Sequence, residues 1–114
     1  MLVELSIIPV GAAAQWSDEI AEVLKLIDSS GLPYQFNPTS TCIEGDWDEV
    51  MTLIKRCHDS VRRSSRQVVT TIKIEDEEGV RDQMTRNVTS VEEKVGRPLR
   101  KRDAGDTPRG TTAR

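Results

Sequence analysis

A chain of 114 residues with 31% charged and 36% hydrophobic residues is sized for one domain around a single core. Its net charge of −3 gives no whole-molecule attraction for nucleic acid, and no apolar run is long enough to cross a bilayer. The opening Met-Leu-Val-Glu-Leu-Ser-Ile-Ile carries an acid and no base, so it reads as a strand and not as a signal peptide. The two cysteines, Cys42 and Cys57, match no metal or redox spacing and read as reduced, buried thiols; the expected location is cytoplasmic.

The elements alternate regularly along the chain. Residues 2–10 form a first strand, with Val3, Leu5 and Ile7 on one face and Glu4, Ser6 and Ile8 on the other. Pro9 cannot donate to a ladder and marks the strand's end or an edge position. After Gly11 and three alanines, Ser17 is placed to cap a helix whose first turn holds Asp18 and Glu19. Ile20, Val23, Leu24 and Ile27 follow with helical spacing, and Gly31 closes the helix. Residues 33–37 make a second strand through Tyr34 and Phe36, Asn37-Pro38 turns the chain, and residues 40–44 make a third.

Gly45 breaks that strand, and Asp46 and Glu49 have the spacing of a capping box at the start of a helix over 46–63. Val50, Leu53, Ile54, Cys57 and Val61 give this helix a continuous apolar stripe. A helix entrance presents unpaired N–H groups and a positive dipole end, beside which small polar ligands often dock. Gln67 to Glu75, almost all β-branched in its middle, is a fourth strand. An acidic turn leads to a third helix carrying Val80, Met84, Val88, Val91 and Val95, ended by Gly96. From residue 97 onward the chain offers almost nothing to bury and reads as a basic, disordered tail, which sets the domain at 1–96 and the tail at 97–114.

The order β-α-β-β-α-β with an additional C-terminal helix specifies an α+β, ferredoxin-like sandwich with both crossover helices on one sheet face. The other face, with residues such as Val69 and Thr71, has only the third helix to shield it. One helix rarely covers a whole sheet, so association of copies into a homodimer or homotetramer is expected.

Several runs then carry a resemblance. Ile8-Pro9-Val10-Gly11, Ser40-Thr41-Cys42-Ile43-Glu44-Gly45, His58 within the second helix and Thr71-Ile72-Lys73-Ile74 are similar, in order and spacing over residues 1–96, to the small thiamine-binding proteins of the YkoF-like type. The Thr-x-Ile-Glu-Gly junction followed by Trp-Asp-Glu-Val-Met resembles the fungal members in particular. The acidic loop Glu75-Asp76-Glu77-Glu78 lacks the basic residue that relatives often carry, and the basic tail is unusual.

The resemblance implies a non-catalytic protein, without cofactor, that binds thiamine or its hydroxymethylpyrimidine part near a subunit interface of a tetramer. An aminopyrimidine needs donors and acceptors along one edge and a flat surface for its face. Thiamine adds a cationic thiazolium, which favours a carboxylate or an aromatic face. The ligand-binding candidates are Ser6, Ser40 and Thr41 for the polar edge, Glu44 for the charge, and Tyr34 or Trp47 for the flat surface. Each has a plainer role available: Tyr34 and Trp47 as core or interface anchors, Thr41 as packing, Glu44 as a solvated acid. His58 sits one position off the apolar stripe and reads as a boundary residue. Lys73, facing the same way as Thr71, suggests an ion pair across an interface.

Other functions find less support in these residues. There is no Ser-His-Asp arrangement, no metal-spaced set of ligands and no glycine-rich phosphate loop. Cys57 and His58 are adjacent on a helix and point about 100° apart. An RNA-recognition sheet of the same layout requires aromatics on its central strands, and strands one and four have none. A structural or regulatory oligomer without a ligand is the remaining alternative.

Overall fold

The computed structural model describes residues 1–11 and 16–101. They form β1 (Leu2–Val10), α1 (Trp16–Ser29), β2 (Tyr34–Phe36), β3 (Thr41–Glu44), α2 (Trp47–Ser64), β4 (Gln67–Glu75) and α3 (Gln83–Val95). The four strands make one antiparallel sheet in the order β2-β3-β1-β4. This is the ferredoxin-like arrangement with one added helix, as the alternation of elements predicts.

The period-two pattern of β1 decides the faces. Val3, Leu5, Ile7 and Pro9 turn inward and are buried, while Glu4, Ile8 and Val10 turn outward and are exposed. α1 adds Val23 and Ile27 to the core, and α2 adds Val50, Leu53, Ile54, Cys57 and Val61, the stripe expected from the sequence. Ile43 of β3 completes it, fully buried. A buried aliphatic side chain of this kind contributes about 2 kcal/mol relative to exposure, so the two helices and the inner sheet face hold the fold.

Local details depart from expectation at helix starts. Trp16 is already helical, so Ser17 lies inside the first turn of α1 and not at its cap. Asp46 does hold the N-cap position of α2 with extended backbone, but its side chain makes no capping bond and the capping box with Glu49 does not form. Val50 N donates to the Asp46 carbonyl instead, at 3.0 Å. Gly45 sits in a tight place: a Cβ would stand 3.1 Å from Val50 Cγ2 and 3.3 Å from Leu32 Cδ2, so those side chains would have to shift to admit it. α3 starts at Gln83, three residues after Val80, because Asp82 takes a left-handed conformation at φ 56°. Gly96, at φ 87°, ends α3 through a bond from its N–H to the Glu92 carbonyl.

The outer sheet face is divided. Near the β3 end it carries Glu4, Cys42, Lys73, Glu44 and Glu75, and α3 lies over β3 there. Toward the other end it shows Ile8, Val10 and Val69, all exposed, with Val88, Val91 and Val95 of α3 exposed as well. The part of the expected tail that is described folds back on α3. Leu99 N and Lys101 Nζ both donate to Glu92 Oε2, at 2.6 Å each. The tail from residue 102 lies outside the described residues.

Candidate functional site

β1 and β3 differ greatly in length, and the site follows from that difference. β1 has nine residues and β3 has four, and their shared ladder ends at the pair Leu5↔Thr41. Beyond it, residues 6–10 of β1 pair with β4 alone. On the β3 side a notch opens, in which those backbone N–H and C=O groups of Ser6–Ile8 that point away from β4 have, among the described residues, no strand beside them. The turn between β2 and β3 forms one wall and the first half of α1 the roof.

The resulting pocket has a volume of about 190 Å³ and is lined by Leu5, Ser6, Ile7 and Ile8 from β1 and by Pro38, Thr39, Ser40 and Thr41 from the turn. Trp16, Ile20, Val23 and Leu24 of α1 and Phe36 of β2 complete it. An engineered cavity of ~150 Å³ takes a benzene molecule, so this volume matches one substituted aromatic ring. Most of the lining is apolar. The polar groups available are the Ser6, Thr39, Ser40 and Thr41 side chains and the open β1 backbone, a small number of the kind that fixes the orientation of a flat heterocycle in an apolar site.

The pocket therefore brings together Ser6, Ser40 and Thr41 of the residues expected from the sequence, and leaves Tyr34, Glu44 and Trp47 outside. Tyr34 packs half-buried against the core, and its hydroxyl donates to Asp28 Oδ1 at 2.8 Å, a bond that raises it above the ordinary phenol range. Trp47 is exposed at the start of α2. Glu44 sits at the opposite end of β3 from Thr41, about 10 Å away along the strand. Its carboxylate accepts from the backbone N–H groups of Gln83 at 2.6 Å and Met84 at 3.2 Å, so it caps α3. Gln83 Nε2 in turn donates to Glu75 Oε1 at 2.9 Å, tying the same helix start to β4.

Two aromatic surfaces and one charge escaped the sequence reading. Trp16 and Phe36, 51% and 53% exposed, stand at the mouth with their faces available. One carboxylate is tied to the pocket wall: Glu4 Oε2 accepts from Ser40 Oγ at 3.1 Å. Ser40 thus links a pocket wall to a negative charge on the outer sheet face. The alternation of β1 already put Glu4 beside Ser6 on that face, and this was the signal available. Residues 12–15, which join β1 to Trp16, lie outside the described residues.

The remaining polar candidates are structural. His58 Nδ1 lies 2.6 Å from Thr70 Oγ1, pinning α2 to β4 on the covered face. Cys57 is fully buried and burial pushes its thiol up to about 11, while Cys42, half-buried on the outer face, is also raised, by burial first. Among the described residues no three His, Cys, Asp or Glu side chains group to hold a metal ion, and no helix is long and apolar enough to cross a membrane.

Comparison with known proteins agrees with this fold. A family model described as thiamine-binding protein matches residues 3–92, which span every strand and most of α3. The chain belongs to the thiamine-binding protein family. A UPF0045 protein of Mycobacterium bovis is 35% identical over 99 residues, covering 86% of this chain and 97% of its own length. The crystal structure of a hypothetical protein from Methanocaldococcus jannaschii superposes with a TM-score of 0.74 at 27% identity, over 81% of this chain and 95% of that one. A candidate thiamine biosynthesis/salvage protein from Thermotoga maritima shares the fold, with a TM-score of 0.69 at 20% identity over 79% of this chain and 96% of that one.

Proposed function

We propose that the protein binds thiamine or its hydroxymethylpyrimidine part in the notch beside β1, without catalysing a reaction. The observation that carries this reading is the match between pocket and ligand: about 190 Å³, mostly apolar walls, and a few serine and threonine side chains with open strand backbone among the lining. An aminopyrimidine ring inserted there meets Ser6, Ser40, Thr41 and the β1 backbone along its donor–acceptor edge. The thiazolium of thiamine, too large to enter with the pyrimidine, stays at the mouth against Trp16 and Phe36, with the Glu4 carboxylate reached through Ser40. Membership of the thiamine-binding family supports the ligand class.

The protein acts as a homodimer or homotetramer in this reading. Ile8, Val10 and Val69 on the outer face, with the exposed valines of α3, leave apolar side chains open to water, which a second copy would cover. Ile8 belongs both to this surface and to the pocket lining, so the site lies next to the expected contact between copies. With both thiols reduced, the cytoplasm is the expected compartment.

Isothermal titration of the full chain with thiamine and with hydroxymethylpyrimidine tests the proposal. Both should bind, and Thr41→Val should weaken both by about 1–2 kcal/mol by removing one hydroxyl. Absence of heat with either compound at millimolar concentration, in a correctly folded sample, would refute it.

A further inference from the structure

Three arginines surround the exit of α2. Arg62 and Arg63 stand in its last turn and Arg66 follows it, with Ser64 and Ser65 between them. Ser65 is the first residue beyond the helix and takes an extended backbone, at φ −133° and ψ 136°. Arg62, Arg63, Ser64 and Arg66 are exposed and Ser65 is half-buried. Arginines two and three residues before a serine, here Arg63 and Arg62, are what basophilic protein kinases read in a substrate, since each guanidinium can pair with a carboxylate of the kinase. Ser64 lacks that spacing, because Val61 stands three residues before it. A kinase takes such a segment in extended form, and the last turn of a helix is where opening costs least.

The Ser65 hydroxyl also joins two helices. It donates to the Glu19 carboxylate, 3.2 and 3.4 Å from its two oxygens, and Ser64 Oγ donates to Glu19 Oε1 at 2.9 Å. Glu19 lies in the first turn of α1, where Trp16, Ser17 and Asp18 are exposed. Among the described residues it makes the only side-chain hydrogen bonds that leave that turn. Trp16 and Ile20, on either side of Glu19, line the pocket. The serines after α2 thus hold down the part of α1 that roofs the site.

We propose that Ser65 is a phosphorylation site for a basophilic serine kinase, and that its phosphate frees the first turn of α1 and loosens the pocket. In the transfer, Ser65 Oγ bonds to the γ-phosphorus of ATP while the bond from that phosphorus to the β–γ bridging oxygen breaks. ADP leaves with the electron pair, and the hydroxyl proton passes to the kinase's base. The product replaces a donor by three acceptor oxygens with a charge of about −1.5 to −2. Glu19, which had accepted from that hydroxyl, is repelled, and Arg62, Arg63 and Arg66 take up the phosphate instead. Ser64 Oγ keeps its other acceptor, the Val61 carbonyl at 3.2 Å. The loss of ligand rests on the pocket being the thiamine site, whereas the modification and the release of α1 do not.

The test treats the folded full chain with ATP and either cyclic-AMP-dependent protein kinase or protein kinase C. Tandem mass spectrometry should place one phosphate on Ser65, absent from Ser65→Ala, retained in Ser64→Ala and slowed on the order of tenfold in Arg63→Ala. In the phosphorylated protein, residues 16–20 should exchange amide hydrogen on the order of tenfold faster, with β1 and the middle of α2 unchanged. Thiamine should bind about fivefold more weakly by titration calorimetry. Glu19→Gln separates this release from general damage: its amide can donate to the phosphate, so phosphorylation of that variant should leave α1 in place. Failure of both kinases to modify Ser65 in the folded chain would overturn the proposal. So would unchanged exchange in α1, equal loosening in Glu19→Gln, or unchanged thiamine affinity after modification. A protein that binds no thiamine in either form would fail the ligand reading alone, since phosphate incorporation and the exchange of α1 still decide whether Ser65 governs the latch.

Discussion

Glu44→Gln is the substitution that separates the structural account of Glu44 from a ligand role. The native carboxylate accepts from two backbone N–H groups, at 2.6 and 3.2 Å, at the first turn of α3. An amide of the same shape keeps one acceptor and turns its NH₂ toward the second N–H, where two donors face each other. A hydrogen bond to a charged group contributes about 1.5–3 kcal/mol and a neutral one about 1, so the exchange costs roughly 2 kcal/mol, including the lost attraction to the helix dipole. α3 packs mainly on β3 and leaves Val88, Val91 and Val95 exposed, so little else resists its release. The cost therefore falls on local opening of α3 and not on the core. Opening should rise on the order of 30-fold, read as faster hydrogen exchange over residues 83–95 with β1 and α2 unchanged. Thiamine affinity should stay within about twofold, because the pocket is at the other end of β3. Exchange in α3 that stays within about threefold of the original, or a selective loss of thiamine over hydroxymethylpyrimidine, would refute the assignment.

The pocket aromatics should be distinguishable from the rest: Trp16→Ala is expected to weaken thiamine by about 1 kcal/mol or more, with Trp47→Ala near wild type, by titration calorimetry. Iodoacetamide at pH 8 should label Cys42 in the folded protein and reach Cys57 only on unfolding, as followed by mass spectrometry, since Cys57 is both buried and held up to about 11. Glu92 is held below its ordinary value by the Lys101 ammonium and then by the Leu99 N–H, so its folded pKa lies below the unfolded one. The tie it makes to residues 99–101 should be complete above the unfolded value of ~4.3 and be lost as pH falls through the lowered one, visible as changed amide shifts of Leu99 and Lys101 in an acid titration.

Much of the fold could be read from the chain because it rests on local repetition. The alternation in β1 and the stripe of α2 reflect which side chains meet water, and the structure buries them accordingly, while the β-branched run of β4 forms its strand with residues alternating between half-buried and exposed. The site was legible only in part. Ser6, Ser40 and Thr41, named for the polar edge that the resemblance calls for, do line the pocket, but which aromatics line it depends on where β3 stops pairing with β1, which no window of neighbouring residues encodes. Trp16 and Phe36 reach the pocket from separate elements, while Tyr34, two residues before Phe36 on the same strand, is taken up by Asp28. Glu44 was misleading for a related reason. Its partner lies 39 residues ahead, so its neighbourhood suggested a free acid beside a helix entrance when it serves as the cap of another helix.

The unequal lengths of β1 and β3 make the notch a property of chain length more than of side-chain identity. Each pair of residues added to the start of β3 would carry its ladder about 6.6 Å farther along β1 and occupy the space now lined by Ser6, Ile7 and Ile8. Shortening the turn at 37–40 would instead lay bare more of β1 and lengthen the cavity. A scaffold of this kind can change the size of compound it accepts by insertion or deletion at one turn, leaving the core residues of both helices and all four strands untouched.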